Sequence, residues 1–268
     1  INSASYSFDI LLKDSDGKPL SENEYIINLK ATDIYENQKI LSFWIAVDVG
    51  APVFTNITPN NGGYYSTIIN LKGTITDGSG VVNLSQIGDG SSDLTKPSEN
   101  IIGGAEFTDT INVPTATGSY SKIYTATDKY NQSTTYELKY NVDKDNPTLS
   151  VLTQPNNKYI QRENSIVFSG EANDLGSGLN GIFYIVNAQE NEDPKTINNS
   201  WTQTSGTNVW NANIDLRTTA EGAYKVFFGA KDVAGNIYVT NSQEAKQLYV
   251  DASSPTVTIE AKASEEVG

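Results

Sequence analysis

Six aspartates stand where oxygen ligands would gather: Asp48, Asp128, Asp143, Asp145, Asp232 and Asp251. Asp48, Asp143 and Asp251 each follow a Val at the end of an apolar run and precede a proline, in Val47-Asp48 to Pro52, Val142-Asp143 to Pro147 and Val250-Asp251 to Pro255. Asp145 lies inside the second of these motifs, and Asp128 and Asp232 each end an Ala-x-Asp sequence. Carboxylates and carbonyls suit a hard cation, and Ca²⁺ takes about six to eight oxygens. The metal chemistry this pattern fits is therefore calcium at domain joints, provided the Asp128 and Asp232 turns lie at the same domain end as a Val-Asp motif. The spacing is unlike an EF-hand loop, and aspartates at these positions also serve as solvated turn and linker residues. Both readings stand at the level of sequence.

Little else offers reactive chemistry. The 268 residues include no Cys, no His and no Met. Without His the chain lacks the usual general base near neutral pH and the commonest transition-metal ligand. Without Cys it has neither a thiol nucleophile nor a disulfide framework. Ordinary zinc sites are excluded, and no nucleophile–base pair can be assembled, so the chain reads as a non-enzyme with no cofactor beyond that calcium. Asp77-Gly78-Ser79-Gly80 and Asp174-Leu175-Gly176-Ser177-Gly178 are Gly-rich. They lack the Lys and the following helix of a phosphate loop, so they read as strand connections. Glu190-Asn191-Glu192-Asp193 suits either solvent or a cation. Trp201 and Trp210 make a sugar-stacking platform if exposed and core if buried. Sequon matches at Asn56, Asn83, Asn131 and Asn198 are expected by chance in an Asn-rich chain.

The elements that must position the aspartates repeat. One pattern occurs three times: a strand ending in Ala-x-Asp, a turn closing near Asn, another strand, then Val-Asp-x-x-x-Pro. The Ala-x-Asp copies are Ala31-Thr32-Asp33, Ala126-Thr127-Asp128 and Ala230-Lys231-Asp232, and the turns close near Asn37, Asn131 and Asn236. Counted this way, the Asp128–Asn131 turn is one residue shorter than the Asp232–Asn236 turn, and it lacks the Gly. Pro52, Pro147 and Pro255 are spaced by about 100 residues, the size of one β-sandwich. Thr58-Pro59-Asn60-Asn61 is echoed by Gln154-Pro155-Asn156-Asn157 near the head of each complete unit. Proline restricts the joint, so the units are expected to stack end to end as a rod.

The expected domains are 1–49 (the C-terminal half of one domain), 50–146 and 147–254 (two complete domains), and 255–268 (the start of another). A half sandwich exposes one apolar face, so its front half is expected outside this sequence. The absence of Met at position 1 also fits a start inside a longer product. The residue pattern predicts strands at 5–12, 24–30, 40–47, 68–75, 81–87, 106–113, 119–127, 133–142, 165–170, 223–230, 237–250 and 256–259, and an almost wholly apolar run predicts one covered on both sides at 181–186. Residues 88–104 read as loop and 187–200 as a polar surface insertion, and no amphipathic helix is evident.

Aromatic content of 10% and 15 tyrosines favour β-structure over disorder. The formal charge is −14, which repels phosphate backbones and argues against nucleic-acid binding. No stretch approaches the roughly 18 apolar residues of a membrane span.

The Ala-x-Asp turn, the Val-Asp-x-x-x-Pro joint and the Asp ahead of Gly-Ser-Gly together resemble the bacterial Ig-like repeats of large cell-surface and secreted proteins. The resemblance covers essentially the whole chain and implies tandem seven-stranded, all-β immunoglobulin-like sandwiches. It implies an extracellular place, on a bacterial surface or secreted, and a role as stalk, spacer or adhesion module. The expected partners are neighbouring Ig-like domains and a host or cell-surface protein or glycan. Two alternatives stand beside this reading: accessory Ig-like modules of a larger secreted enzyme, and, from the aromatic residues themselves, a carbohydrate-binding module using Trp201, Trp210 and nearby Tyr.

Overall fold

The computed structural model describes residues 7, 9–96, 104–156, 158–162, 165–188 and 191–260. They divide into two compact units, Ile1–Val142 and Asp143–Gly268. No helix occurs among the described residues, and none is long and apolar enough to cross a membrane.

The first unit opens with a hairpin of β1 (Asn23–Thr32) and β2 (Gln38–Val47), paired antiparallel from Asn23↔Val47 to Thr32↔Gln38. Ile27 pairs with Phe43 and Leu29 with Leu41, so one face of the hairpin is apolar. Leu41 is 54% exposed and Phe43 44%. The strand expected at 5–12 is absent from the described part of that range. Its described residues show only an isolated bridge just beyond, from Lys13 to Pro19.

The sandwich that follows has two four-stranded sheets. One orders β3 (Val53–Thr58), β5 (Ile68–Thr76), β8 (Ala105–Asn112) and β7 (Ser91–Thr95) as β3-β5-β8-β7. The other orders β4 (Tyr64–Tyr65), β10 (Ser133–Val142), β9 (Gly118–Asp128) and β6 (Val81–Gly88) as β4-β10-β9-β6. Strict alternation buries Ile69, Leu71 and Ile75 of β5 against Phe107 and Ile111 of β8. Tyr124, Ala126, Leu138, Tyr140 and Val142 close the same core from the other sheet. Full burial of each large side chain is worth about 1.5–3 kcal/mol relative to exposure. The 88–104 stretch contains β7, which the polar sequence Ser91-Ser92-Asp93 concealed; Leu94 packs on the core from it.

The second unit repeats the plan. One sheet runs β11 (Thr148–Thr153), β13 (Ser165–Asn173), β17 (Val209–Asp215) and β16 (Ser205–Gly206) in the order β11-β13-β17-β16. The other runs β12 (Tyr159–Gln161), β20 (Lys246–Asp251), β18 (Gly222–Asp232), β14 (Leu179–Ala188) and β15 (Thr202–Gln203) in the order β12-β20-β18-β14-β15, with β19 (Ile237–Val239) also on β18. In both units a short early strand lies parallel to the last one: β4 beside β10, and β12 beside β20.

The strand expected at 237–250 is broken at 240–245. Thr240 Oγ1 accepts from the Phe228 N–H (2.9 Å) and donates to the Phe228 carbonyl (3.1 Å), and Asn241–Ala245 forms a turn. The 187–200 stretch is likewise more than a polar insertion. Ile197 and Trp201 pack with Ala245 on Phe227, making a small second core on the outer face of that sheet. This explains the near-continuous apolar run of β14. Ile182 faces the main core, and Phe183 and Ile185 face the outer one. Residues 256–259 form no strand and are exposed, since a single segment has no ladder partner among the described residues.

Candidate functional site: two carboxylate clusters

Each Ala-x-Asp sequence delivers its aspartate to the end of a long strand, where the chain must reverse. The turn is the same length in all three copies. Asp33 N–H donates to the Asn37 carbonyl at 3.0 Å, Asp128 N–H to Gln132 at 3.0 Å, and Asp232 N–H to Asn236 at 3.1 Å. In each, Oδ1 of the aspartate accepts two backbone N–H groups inside the turn, an Asx geometry. The fourth position is left-handed: Glu36 at φ 67°, Asn131 at 65° and Gly235 at 99°. The expectation of a shorter turn at Asp128 is therefore wrong. Asn131 takes the place of Gly235, which Asn tolerates, and Gln132 takes the place of Asn236. Gly235→Ala is expected to cost the second unit about 1–2 kcal/mol, read as an earlier unfolding midpoint in urea.

The fifth residue sets a difference. Asn37 Nδ2 donates to Asp33 Oδ2 at 2.9 Å, and Asn236 Nδ2 donates to Asp232 Oδ2 at 2.7 Å. The Asn37 side chain is the main cause that holds the Asp33 carboxyl below its ordinary value. Asp128 Oδ2 is buried and has no partner.

Two aspartate triplets converge around these turns. Asp48, Asp77 and Asp128 bring carboxylate oxygens within 4.8 Å of one another in the first unit, and Asp143, Asp174 and Asp232 do so in the second. Asp128, Asp143 and Asp232 are 0% exposed. Of the six aspartates marked by sequence, Asp48 and Asp128 meet in one cluster, and Asp143 and Asp232 in the other. Asp145 is exposed and contributes its N–H to Asp143 Oδ1 at 3.1 Å. Asp251 is exposed and accepts from the Ser253 N–H. Neither joins a cluster.

Asp77 and Asp174 complete the triplets from the Gly-Ser-Gly loops. Both loops are strand connections, as expected, and their aspartates are also cluster members. The available signal was positional, because each stands at a similar distance after its Val-Asp motif. Asp77 Oδ1 accepts from the Ser79 N–H at 2.9 Å and hydroxyl at 3.0 Å, and Gly178 N–H donates to Asp174 Oδ2 at 2.7 Å.

The second cluster is pulled in two directions. Burial works to raise the Asp143 carboxyl, but backbone N–H groups of Ser177 and Asp145 and the Ser177 side chain overcome it, so its pKa is lowered. Burial, then the Asp143 and Asp232 charges, outweigh the donors at Asp174 and raise it. In the first cluster, no ion pair among the described residues reaches Asp48, Asp77 or Asp128. Oδ2 of Asp48 and of Asp128 both lack a hydrogen bond. An oxygen-only set of this kind suits a hard cation, with carbonyls or water filling the remaining positions.

The other candidates resolve differently. Trp201 is 7% exposed and Trp210 0%, so no sugar platform forms from them. Asp193 accepts from both the N–H and the hydroxyl of Ser242, with Lys225 Nζ at 3.9 Å. Its carboxyl is lowered, chiefly by the Ser242 hydroxyl. Asp193 thus fastens the 187–200 stretch to the 240–245 turn. Glu190 lies outside the described residues.

Residues 208–267 match the family described as bacterial Ig-like domain (group 3). No curated protein matches the chain. Solved structures similar to it include the fibronectin(III)-like modules of CbhA from Clostridium thermocellum, at 14% identity and TM-score 0.47, covering 78% of this chain and 100% of that one. The adhesin InvE of Yersinia pseudotuberculosis is similar at 14% identity and TM-score 0.29, covering 75% and 59%. A tetra-tandem repeat from the extending region of a large adhesion protein is similar at 15% identity and TM-score 0.31, covering 88% and 59%. The family match thus falls on residues 208–267 of the second unit, and both units repeat one all-β, immunoglobulin-like sandwich plan.

Proposed function

We propose that the chain is an internal segment of an extracellular multi-domain bacterial protein, serving as stalk and adhesion module without catalysis. The observation that carries this reading is repetition. Two units share one core strand order, one Asp turn and one carboxylate triplet, in a sequence with no Cys and no His. Such a chain holds other parts at a distance, and contact with a surface protein or glycan falls to loops. The hairpin β1–β2 presents an apolar face of the kind that its counterpart β9–β10 buries, which fits the paired last strands of an Ig-like unit.

Calcium is the ion proposed for the first cluster. Asp48 belongs to the segment leading into the sandwich, whereas Asp77 and Asp128 belong to the sandwich itself. An ion shared by the three would fix the incoming chain to its own domain. Thermal unfolding of the chelator-treated chain with and without calcium tests this. At calcium about 100-fold above Kd, the first unit should gain about 2.7 kcal/mol. That corresponds to a rise in Tm of ~10 °C or more for a domain of this size. Asp128→Asn keeps the Oδ1 acceptor of the turn and should abolish the rise. An equal rise in that variant, or none in the unmodified chain, would sink the calcium reading.

A further inference from the structure

The two clusters differ in how many of their oxygens the protein itself has used. In the second, Asp143 Oδ1 accepts from Asp145 N–H and Oδ2 from Ser177 N–H at 2.6 Å. Asp174 Oδ2 accepts from Gly178 N–H, Asp232 Oδ1 from Gly235 and Asn236, and Asp232 Oδ2 from the Asn236 amide. The Asn236 Nδ2 also donates to the Asp143 carbonyl at 3.0 Å, so one side chain ties two corners of the triplet together. In the first cluster every donor reaches an Oδ1 atom: Gly50 to Asp48, Ser79 to Asp77, and Tyr130 and Gln132 to Asp128. Asp48 Oδ2 and Asp128 Oδ2 are left buried and unpartnered, and Asp128 is 0% exposed. A buried carboxylate oxygen without a donor is costly unless a cation meets it.

We propose that the fifth residue of the Asp turn decides whether a triplet binds a divalent cation, and that the two triplets are set oppositely. This rests on the calcium reading of the first cluster. Asn at that position reaches back to Oδ2 and closes the site with its own N–H. Gln132 leaves Asp128 Oδ2 free, so Asp48, Asp77 and Asp128 hold one calcium ion. Asn236 occupies Asp232 Oδ2, and Asp143, Asp174 and Asp232 hold none at the same concentration. A single amide length thus separates a cation-dependent domain end from a self-closed one within one chain.

Isothermal titration of the metal-stripped chain with calcium chloride tests the assignment. The expected stoichiometry is one ion per chain, lost in Asp128→Asn. Gln132→Asn should weaken binding at least tenfold, and Asn236→Gln should add a second ion. Far-ultraviolet circular dichroism without calcium confirms that each variant is folded. Should Asn236→Gln fail to fold, Gln132→Asn decides by itself. Two ions in the unmodified chain, or unchanged affinity in Gln132→Asn, would overturn the switch and leave the calcium reading intact. No binding at all would overturn both.

Discussion

Trp210→Ala is expected to remove about 3–5 kcal/mol from the second unit, a large share of the ~5–15 kcal/mol that holds a domain of this size. The indole is 0% exposed, and its ring centroid lies 5.1 Å from that of Phe228. Phe228 in turn meets Phe168 edge-on at 5.2 Å. Behind the indole the wall is backbone. A Cβ added to Gly170 would stand 2.6 Å from Trp210 Cζ2 and 1.9 Å from the Ser150 carbonyl oxygen. Backbone on that side cannot collapse into the hole that alanine leaves, so the cavity persists. Trp210 Nε1 has no hydrogen-bond partner, and Trp210→Phe sheds that unpaired donor while keeping most of the ring. The phenylalanine variant should therefore lose much less. In urea unfolding followed by circular dichroism, Trp210→Ala should move the transition of the second unit to lower denaturant and leave that of the first unchanged. A loss below about 1 kcal/mol would show that the site repacks.

The second large effect concerns a charge inside the first unit. Lys122 lies within the sandwich at 1% exposed, its Nζ donating to the Gly90 carbonyl at 2.9 Å. Nearby, Asp109 is also 1% exposed and accepts the Tyr124 hydroxyl at 2.7 Å on Oδ2, while its Oδ1 has no partner. Lys122→Ala removes the positive charge that faces Asp109 and opens a cavity, and should cost about 3–5 kcal/mol. Lys122→Met keeps the aliphatic stem and should cost less.

The pH dependence follows from direction. Burial lowers the Lys122 pKa below its ordinary 10.5, and the Asp109 and Asp89 charges restore only part. Between the lowered folded value and 10.5 the unfolded chain binds more protons, so stability rises with pH in that window. Burial raises Tyr124, and it pushes Tyr140 up to about 12, with the Asp89 and Tyr120 neighbours adding to it. Above their ordinary 10.0 the folded state holds the extra protons, and stability falls. Denaturant titrations across alkaline pH should show the rise in the unmodified first unit and its disappearance in Lys122→Met. The fall above about pH 10 should remain in both.

The sandwiches were legible because their inner faces alternate cleanly: Ile69, Leu71 and Ile75 on one strand, Phe107 and Ile111 on its neighbour. The Asp turns were legible as turns, but their length was misread at Asp128. Counting to the nearest Asn ends at Asn131, whereas the backbone ring closes one residue later on Gln132. Residue identity is a poor guide there, since the left-handed position accepts Glu, Asn or Gly in the three copies. The carboxylate clusters were half legible. Asp48, Asp128, Asp143 and Asp232 stand out by motif, while Asp77 and Asp174 arrive from loops distant in sequence that the fold returns to the same end. The outer core around Phe227 was not legible. It joins Trp201 and Ala245 from two segments whose polar surroundings hide the few apolar residues that meet.

The parallel strand beside the last one in each sandwich has a consequence under tension. β12 lies near the start of its sandwich and β20 at its end, and both run the same way. Pulling the two ends apart drags these strands past each other along their length. Tyr249 N–H to the Lys158 carbonyl (2.7 Å) and Arg162 N–H to the Asp251 carbonyl (2.9 Å) are then loaded together in shear, not peeled one by one. The Tyr159 and Tyr249 rings, stacked at 5.0 Å with Lys158 Nζ 5.4 Å from each, grip the same pair from the side. Resistance to such a pull is set by the rate of crossing the unfolding barrier. A short parallel strand at that place raises the force a sandwich withstands while adding little to its equilibrium stability.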